Sequence, residues 1–518
     1  MKILTQIRRN AELHPDRVAY TTATLSETGY QLEKMSWGGI NDKSDRLASY
    51  LNSHLNTKKP IIVFGHKSPY MVVLFLACVK SGRAYVPVES SFPNGRIQDI
   101  CQIVEPELIL TTEPLNGIEG DFEILNLEKI KNIIDQTESL IDSSAWVKPE
   151  DVYYIIFTSG STGTPKGVQI TASCLDNFIS WAVTLGEKYH INDGLHHTFI
   201  NQAPFSFDLS VMDLYLSLYT GGTLWAIPKF LQKDMEQMYA YIGDSGADVW
   251  VSTPSFAEMA FMDESFAESL LPQMRLFLFC GETLTNQTVT KLNNAFPRAE
   301  VFNTYGPTES TVAITSVYIS EKIKNAYNPL PIGTAKPGTW VYIMDENNQI
   351  LPDGEKGEIV IVGDSVSIGY WKNPSKNAEM FDTMQIDGNT YRLYHTHDKG
   401  YYQNGQLFYC GRIDLQIKMH GYRIELEDIE SNLLACENVE RAVILPNIQD
   451  GEITSLSAFV VPKQSICSTL KERQRLRTEL KKRLPEYMIP KKFVFRESLP
   501  VTTNGKVDRK KLEAEEKC

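Results

Sequence analysis

Cysteine is sparse in this 518-residue chain: eight residues, at 78, 101, 174, 280, 410, 436, 467 and 518, with no CxxC pair and no zinc-ligand spacing. A disulfide frame and a structural zinc site are therefore not expected, and most thiols should be small buried hydrophobes in a reducing compartment. Long apolar runs are missing as well. The longest, Tyr70 to Val79, sits between Lys67 and Lys80 and falls well short of the roughly 20 residues that span a bilayer. The N-terminus reaches Arg8, Arg9, Glu12 and Asp16 before any apolar core of signal-peptide length, so a cytoplasmic protein without an export signal is expected. Positive charge is in deficit, with 51 Lys+Arg against 64 Asp+Glu and a formal charge of −13. Nucleic acid and anionic membrane are not the default partners of such a chain. No repeat of 20 to 50 residues and no low-complexity tract occurs.

What is present is ordinary globular composition, 42% hydrophobic and 22% charged, over a length sufficient for two or more cores. Through about residue 412, extended apolar stretches (60–64, 152–157, 249–251, 275–279, 359–362) alternate with longer segments of helical period. That pattern predicts an α/β fold with largely parallel sheets. Composition changes after Gly411-Arg412-Ile413-Asp414. Residues 415–518 carry 19 Lys+Arg and 16 Asp+Glu, a balance of +3, which leaves −16 for residues 1–414. The expected division is a large multi-subdomain N-terminal region, 1–413, and a small mobile α+β C-terminal domain, 414–518. Nine basic residues fall between Lys471 and Lys492; they are either a solvated helix face or a docking surface for an acidic partner.

A strand-like run, Tyr153-Tyr154-Ile155-Ile156-Phe157, leads directly into Thr158-Ser159-Gly160-Ser161-Thr162-Gly163-Thr164-Pro165-Lys166-Gly167. Three glycines permit close approach of a ligand, and the hydroxyls and the Lys166 ammonium supply donors, which suits a polyanion. The spacing is not GxxxxGK[ST], because Pro165 precedes Lys166 and Gly167 follows it, and it is not GxGxxG. A P-loop NTPase is excluded on that ground, and a Rossmann dinucleotide site is not supported.

This loop resembles the phosphate-binding signature of the adenylate-forming superfamily, and other strings of that family follow in order: Lys80-Ser81-Gly82-Arg83, Phe207-Asp208-Leu209-Ser210, Asn303-Thr304-Tyr305-Gly306-Pro307-Thr308-Glu309, Gly357-Glu358-Ile359, Tyr394-His395-Thr396-His397-Asp398, Gly411-Arg412-Ile413-Asp414 through Gly421-Tyr422-Arg423-Ile424-Glu425, and Asn504-Gly505-Lys506-Val507-Asp508. The resemblance implies an ATP-dependent enzyme that makes an acyl adenylate and then a thioester. ATP would be held by Thr158, Ser159, Gly160, Ser161, Thr162, Gly163 and Lys166, by Asn303, Thr304, Tyr305, Gly306, Pro307 and Thr308, and by Asp398, Arg412 and Lys506. Glu309 would bind Mg2+, a hard cation that prefers oxygen. Lys506, Glu309 and Asp208 are the implied catalytic residues, with Asp414 as the hinge about which the small domain turns. Where the family usually has Gly before the ribose-binding carboxylate this chain has His397, which asks an imidazole residue either to avoid or to accept a positive φ. His395 and His397 alone, at i and i+2, make a weak metal motif.

Asp208 stands where members that activate amino acids pair a carboxylate with the substrate ammonium; its alternative role is a helix N-cap. Cys280, in Phe279-Cys280-Gly281-Glu282, would narrow the side-chain pocket together with Val312, unless it is a core thiol. These features most resemble the ligases that charge a D-alanyl carrier protein. They imply D-alanine and a phosphopantetheinylated carrier as partners, for D-alanylation of teichoic acids. A stand-alone adenylation enzyme for another small amino acid, an acyl- or aryl-acid CoA ligase, and a silent nucleotide-binding protein are the competing readings.

Overall fold

The computed structural model describes residues 2–27, 29–160, 163–449, 452–464, 466, 468–500 and 507–516. Two sheets carry the apolar runs. In the first, the order is Glu123–Leu125, Leu108–Thr111, Ile61–Gly65, Tyr85–Glu89, Val152–Thr158 and Lys166–Thr171; the pairs are parallel except the last, which is antiparallel. The second has nine strands. Its parallel centre runs from Glu300–Tyr305 through Leu276–Phe279, Val249–Ser252, Thr198–Asn201 and Thr223–Ala226 to Val18–Ser26, and antiparallel strands flank it. Strands such as Ile61–Gly65 and Leu276–Phe279 are buried along their whole length, because helices cover both faces; that is why they read as continuous apolar runs. The run from Tyr70 lies in the helix Pro69–Lys80, which is buried on nearly every side.

One expectation is corrected. Residues 359–362 do not join a parallel sheet but lie in Gly357–Gly363, inside a five-stranded antiparallel sheet built from residues 339–412. The reason is connection length. Phe381–Ile386 turns into Asn389–Gln403 over Asp387-Gly388, and Asn389–Gln403 turns into Gln406–Arg412 over Asn404-Gly405; all four turn residues have φ between 50° and 80°. Two-residue loops of this kind close hairpins, whereas a parallel pair needs a crossover of a dozen residues or more. Beyond residue 414 a hairpin, Gln416–Met419 with Tyr422–Glu425, precedes a three-stranded sheet and the helices Leu426–Leu434, Thr469–Leu480 and Arg509–Glu516. All but Arg509–Glu516 surround one apolar cluster, which includes Ile424, Ile429, Leu433, Ala458, Leu476 and Phe493, while Leu512 of that helix packs with Phe459 and Leu499 in a second.

The Lys80-Ser81-Gly82-Arg83 string is a clasp within the fold. Lys80 is fully buried, with Nζ 2.7 Å from Asp45 Oδ1, 2.9 Å from Asn41 Oδ1 and 2.8 Å from Ser44 Oγ. Arg83 donates to the carbonyls of Leu55, Thr57 and Ser81. Together they tie the end of Pro69–Lys80 to the helix Trp37–His54. Removing one member of a buried pair leaves the other charge unanswered, at a cost of about 3 kcal/mol. Lys80→Met should therefore lower the urea midpoint of unfolding while the protein that remains folded keeps its activity; an unchanged midpoint would contradict the clasp.

Candidate active site

The glycine-rich loop leaves the C-terminal end of Val152–Thr158, and antiparallel pairing of that strand with Lys166–Thr171 returns Lys166 opposite Thr158. Two glycines are required by space and backbone: a Cβ at Gly160 would lie 2.0 Å from the Thr164 carbonyl oxygen, and Gly163 has φ 80°. Ser161 and Thr162 lie outside the described residues. Lys166 is buried, and burial, followed by the nearby Arg423 guanidinium, pushes its ammonium below the ordinary lysine range.

Asn303 to Glu309 run from the end of the central strand Glu300–Tyr305 into a single 3-10 turn. Gly306 has no room for a side chain, since a Cβ would lie 2.6 Å from the Ala313 Cα. Asn303 Nδ2 donates to the Pro331 carbonyl and Thr304 Oγ1 to the Phe279 carbonyl, so both hold the backbone in place. Tyr305 Oη donates to Asp398 Oδ2 at 2.6 Å, and Arg412 Nη1 donates to Asp398 Oδ1 at 2.9 Å. Arg412 also grips Asp414 through Nε and Nη2, at 2.8 and 2.6 Å. One guanidinium thus joins the carboxylate expected at the ribose to the one expected at the hinge. His397 accepts the left-handed conformation, with φ 56°. Its N–H donates to Glu358 Oε1 and its ring lies 3.4 Å from Asp414, while the His395 ring meets Glu358. Among the described residues no cluster of three or more metal-ligating side chains occurs.

Asp208 immediately precedes the helix Leu209–Thr220 but makes no capping hydrogen bond. Its carboxyl instead lines a cavity with Phe207, Cys280, Pro307, Thr308 and Val312. Burial raises its pKa, opposed by Thr308 and by Lys418. The open volume is about 30 Å³, room for about two waters. Cys280 Sγ lies 3.6 Å from the Val312 carbonyl oxygen, and Thr311 and Val312 both have φ near 65°. Consecutive β-branched residues seldom adopt that conformation, and here it turns the Val312 carbonyl toward the thiol.

The small domain closes the cavity: Gly421 is on its wall, with Gln416, Lys418 and Arg423, to which the sequence assigned no chemistry. Gly421 N donates to Glu282 Oε1 at 2.6 Å, and a Cβ there would lie 2.5 Å from Thr253 Cγ2. Arg423 Nη1 is 2.6 Å from Glu309 Oε2, and Tyr370 Oη donates to the other Glu309 oxygen at 2.7 Å. Burial alone would raise the Glu309 carboxyl, but the guanidinium holds it down to about 2. Glu425 Oε1 is 3.1 Å from Lys166 Nζ. The available signal was the alternation in Tyr422-Arg423-Ile424-Glu425, which places two opposite charges on one face of a strand. Lys506 lies outside the described residues.

The sequence matches the AMP-binding enzyme family over residues 7–371 and the AMP-binding enzyme C-terminal domain over residues 428–506. The chain belongs to the AMP-binding enzyme family. Similar proteins include the D-alanine--D-alanyl carrier protein ligases of Bacillus cereus strain AH187 and Bacillus thuringiensis strain Al Hakam, each 46% identical over 518 residues, with 99% of both chains covered. Among solved structures, the Vibrio cholerae adenylation domain AlmE in complex with glycyl-adenosine-5'-phosphate superposes with a TM-score of 0.82 at 22% identity, covering 100% of this chain and 98% of that one. A nonribosomal peptide synthetase protein containing adenylation and PCP domains gives a TM-score of 0.80 at 24% identity, covering 99% and 84%. Both likenesses concern the fold.

In this AMP-binding enzyme the six described cysteines are free thiols; Cys410 is exposed and the other five are buried. Burial pushes the Cys280 thiol above its ordinary pKa, and an alkylating agent attacks the thiolate. Brief native iodoacetamide treatment at neutral pH should therefore modify Cys410 and spare Cys280, as read by peptide mass spectrometry. Fast labelling of Cys280 would contradict the closed pocket.

Proposed function

We propose that this AMP-binding enzyme is a cytoplasmic ATP-dependent ligase that activates D-alanine as D-alanyl adenylate and passes the acyl group to the phosphopantetheine thiol of a D-alanyl carrier protein, for D-alanylation of teichoic acids. The observation that supports this most directly is the cavity in which Asp208 stands with Cys280 and Val312, on a chain matched end to end by ligases of that name. A buried carboxylate calls for a cation, and the ammonium of an amino acid supplies one that fatty and aryl acids lack. Cys280 and Val312 on the wall beside Asp208 favour a small side chain, a methyl group or none.

In the first half-reaction a carboxylate oxygen of D-alanine attacks the α-phosphorus of ATP, and the bond to the bridging oxygen breaks so that pyrophosphate leaves with its electron pair. Two anions held about 4 Å apart repel by ~4 kcal/mol at an effective dielectric of 20, so donors and cations must converge on them. Lys166 and the 158–164 loop suit the β- and γ-phosphates. Thr308 suits the α-phosphate, and the Tyr305–Asp398–Arg412 group suits the adenosine. Lys506 is assigned to the substrate carboxylate and α-phosphate. Glu309 fits Mg2+: it is a buried carboxylate held ionised, and a single carboxylate together with substrate phosphates is an ordinary octahedral magnesium site. When bound, the ion would offset charge on the phosphates. In the second half-reaction the carrier thiolate attacks the acyl carbonyl and AMP leaves. The small domain, 414–518, turns about Asp414 between the two steps.

Pyrophosphate exchange with D-alanine, L-alanine and glycine tests the assignment. D-Alanine should support the fastest exchange, and exchange driven only by a bulky or non-amino acid would overturn it. Cys280→Ala should relax discrimination against L-alanine, and unchanged stereoselectivity would remove Cys280 from that role. Because the Asp208 carboxyl titrates above its usual range, protons compete with the ammonium. Affinity for D-alanine should fall by about tenfold per pH unit below that pKa, and Asp208→Asn should abolish the dependence. Lys506→Ala should block adenylate formation while largely sparing transfer from preformed adenylate; equal loss of both steps would count against it.

A further inference from the structure

The segment that carries Asp208 and the helix Leu209–Thr220 that follows it are both gripped by one side chain that takes no part in the proposed chemistry. Lys67 stands two residues beyond the strand Ile61–Gly65 of the first sheet, and the Tyr20 hydroxyl donates to its carbonyl at 2.9 Å. Its ammonium is buried. Nζ donates to the Ala203 carbonyl and to Asn201 Oδ1, and lies 4.5 Å from the centre of the Phe205 ring. Asn201, the last residue of Thr198–Asn201 in the second sheet, passes the contact on: Nδ2 donates to Asp213 Oδ1 at 2.9 Å and to Oδ2 at 3.0 Å. Asp213 lies just past the first turn of Leu209–Thr220 and is fully buried. Asp213 and Glu89 are the carboxylates whose charges favour the ammonium, and Glu89 lies 2.9 Å from the His66 ring. A buried ion pair adds little net stability over well-packed apolar residues, but a fully satisfied polar network fixes one geometry.

We infer that Lys67 is a positioning residue for the amino-acid site. Ala203 and Asp213 lie five residues to either side of Asp208, and one cation from the other sheet holds both ends of that stretch, directly at Ala203 and through Asn201 at Asp213. Asp208 makes no capping bond of its own. Its carboxyl is therefore aimed by the backbone that Lys67 holds, together with the contact to Thr308. Binding sites need their polar groups fixed to a fraction of an ångström, and this network supplies the support from behind. The inference rests on the proposed pairing of Asp208 with the substrate ammonium.

Pyrophosphate exchange by full-length variants tests it, with D-alanine and ATP varied in turn. K67M alone would leave Asp213 buried without its counter-charge, so the charge-balanced K67M/D213N carries the test. In that variant KM for D-alanine should rise about tenfold, while KM for ATP and kcat change by less than about twofold, because a displaced Asp208 weakens ammonium binding in the ground and transition states alike. K67R, which keeps the cation, should lie between the double variant and the unaltered protein. Hydrogen–deuterium exchange, which needs no substrate, should be several-fold faster in peptides covering 203–213 of the double variant and unchanged in those covering 276–283. An unaltered KM for D-alanine, an equal rise in both KM values, or hydrogen exchange raised alike in both regions would overturn the inference while leaving the role of Asp208 intact. A double variant that does not fold would mark the network as a structural tie and would overturn it too. Failure of the unaltered protein to respond to D-alanine would overturn the role of Asp208 and this inference with it.

Discussion

The contact between Arg423 and Glu309, 114 residues apart in sequence, is the constraint on which the rest of the arrangement depends. A carboxylate so far from solvent is tolerable only when a cation lies against it. From the large domain Glu309 has the Tyr370 hydroxyl in direct contact, with the Lys166 ammonium near enough to favour its charge but engaged by Glu425. The cation must come from outside, either with the nucleotide or on the small domain.

The amino-acid end of the cavity follows a different logic. There the carboxylate, Asp208, has Thr308 and the Lys418 charge nearby, yet burial outweighs them and raises its pKa. In the proposed function the ammonium of the substrate completes the pair. The strained turn at Thr311 and Val312 and the thiol of Cys280 set the wall opposite. In the proposed function, selection would rest on which substituent of the α-carbon meets sulfur and which meets the carbonyl, where one methyl group is worth only about 1–3 kcal/mol.

Much of this was legible in the sequence, for identifiable reasons. Parallel strands buried on both faces write themselves as apolar runs, so Ile61–Gly65, Val152–Thr158 and Leu276–Phe279 were foreseen within a residue or two. The glycine-rich loop was visible because Gly160 and Gly163 are demanded by space and by φ. The antiparallel sheet of 339–412 was missed although Asp387-Gly388 and Asn404-Gly405 are strong hairpin signals; the apolar stretch at 359–362 masked them. Lys80 and Arg83, strung in a motif, prove to be structural ties. Arg423 and Glu425 were quoted without a role because their partners, Glu309 and Lys166, are 114 and 259 residues distant. No local period encodes so long-range a pairing; it emerges only when two separately folded units meet.

The most direct check is a crystal grown with manganese and ATP, in which anomalous scattering locates the ion. The account predicts manganese at the Glu309 carboxylate, phosphate oxygens beside Lys166, and the Arg423 guanidinium withdrawn from both. Manganese coordinated by Glu309 while Arg423 still lies in hydrogen-bonding contact with it would show that the two cations do not compete, and would contradict the account.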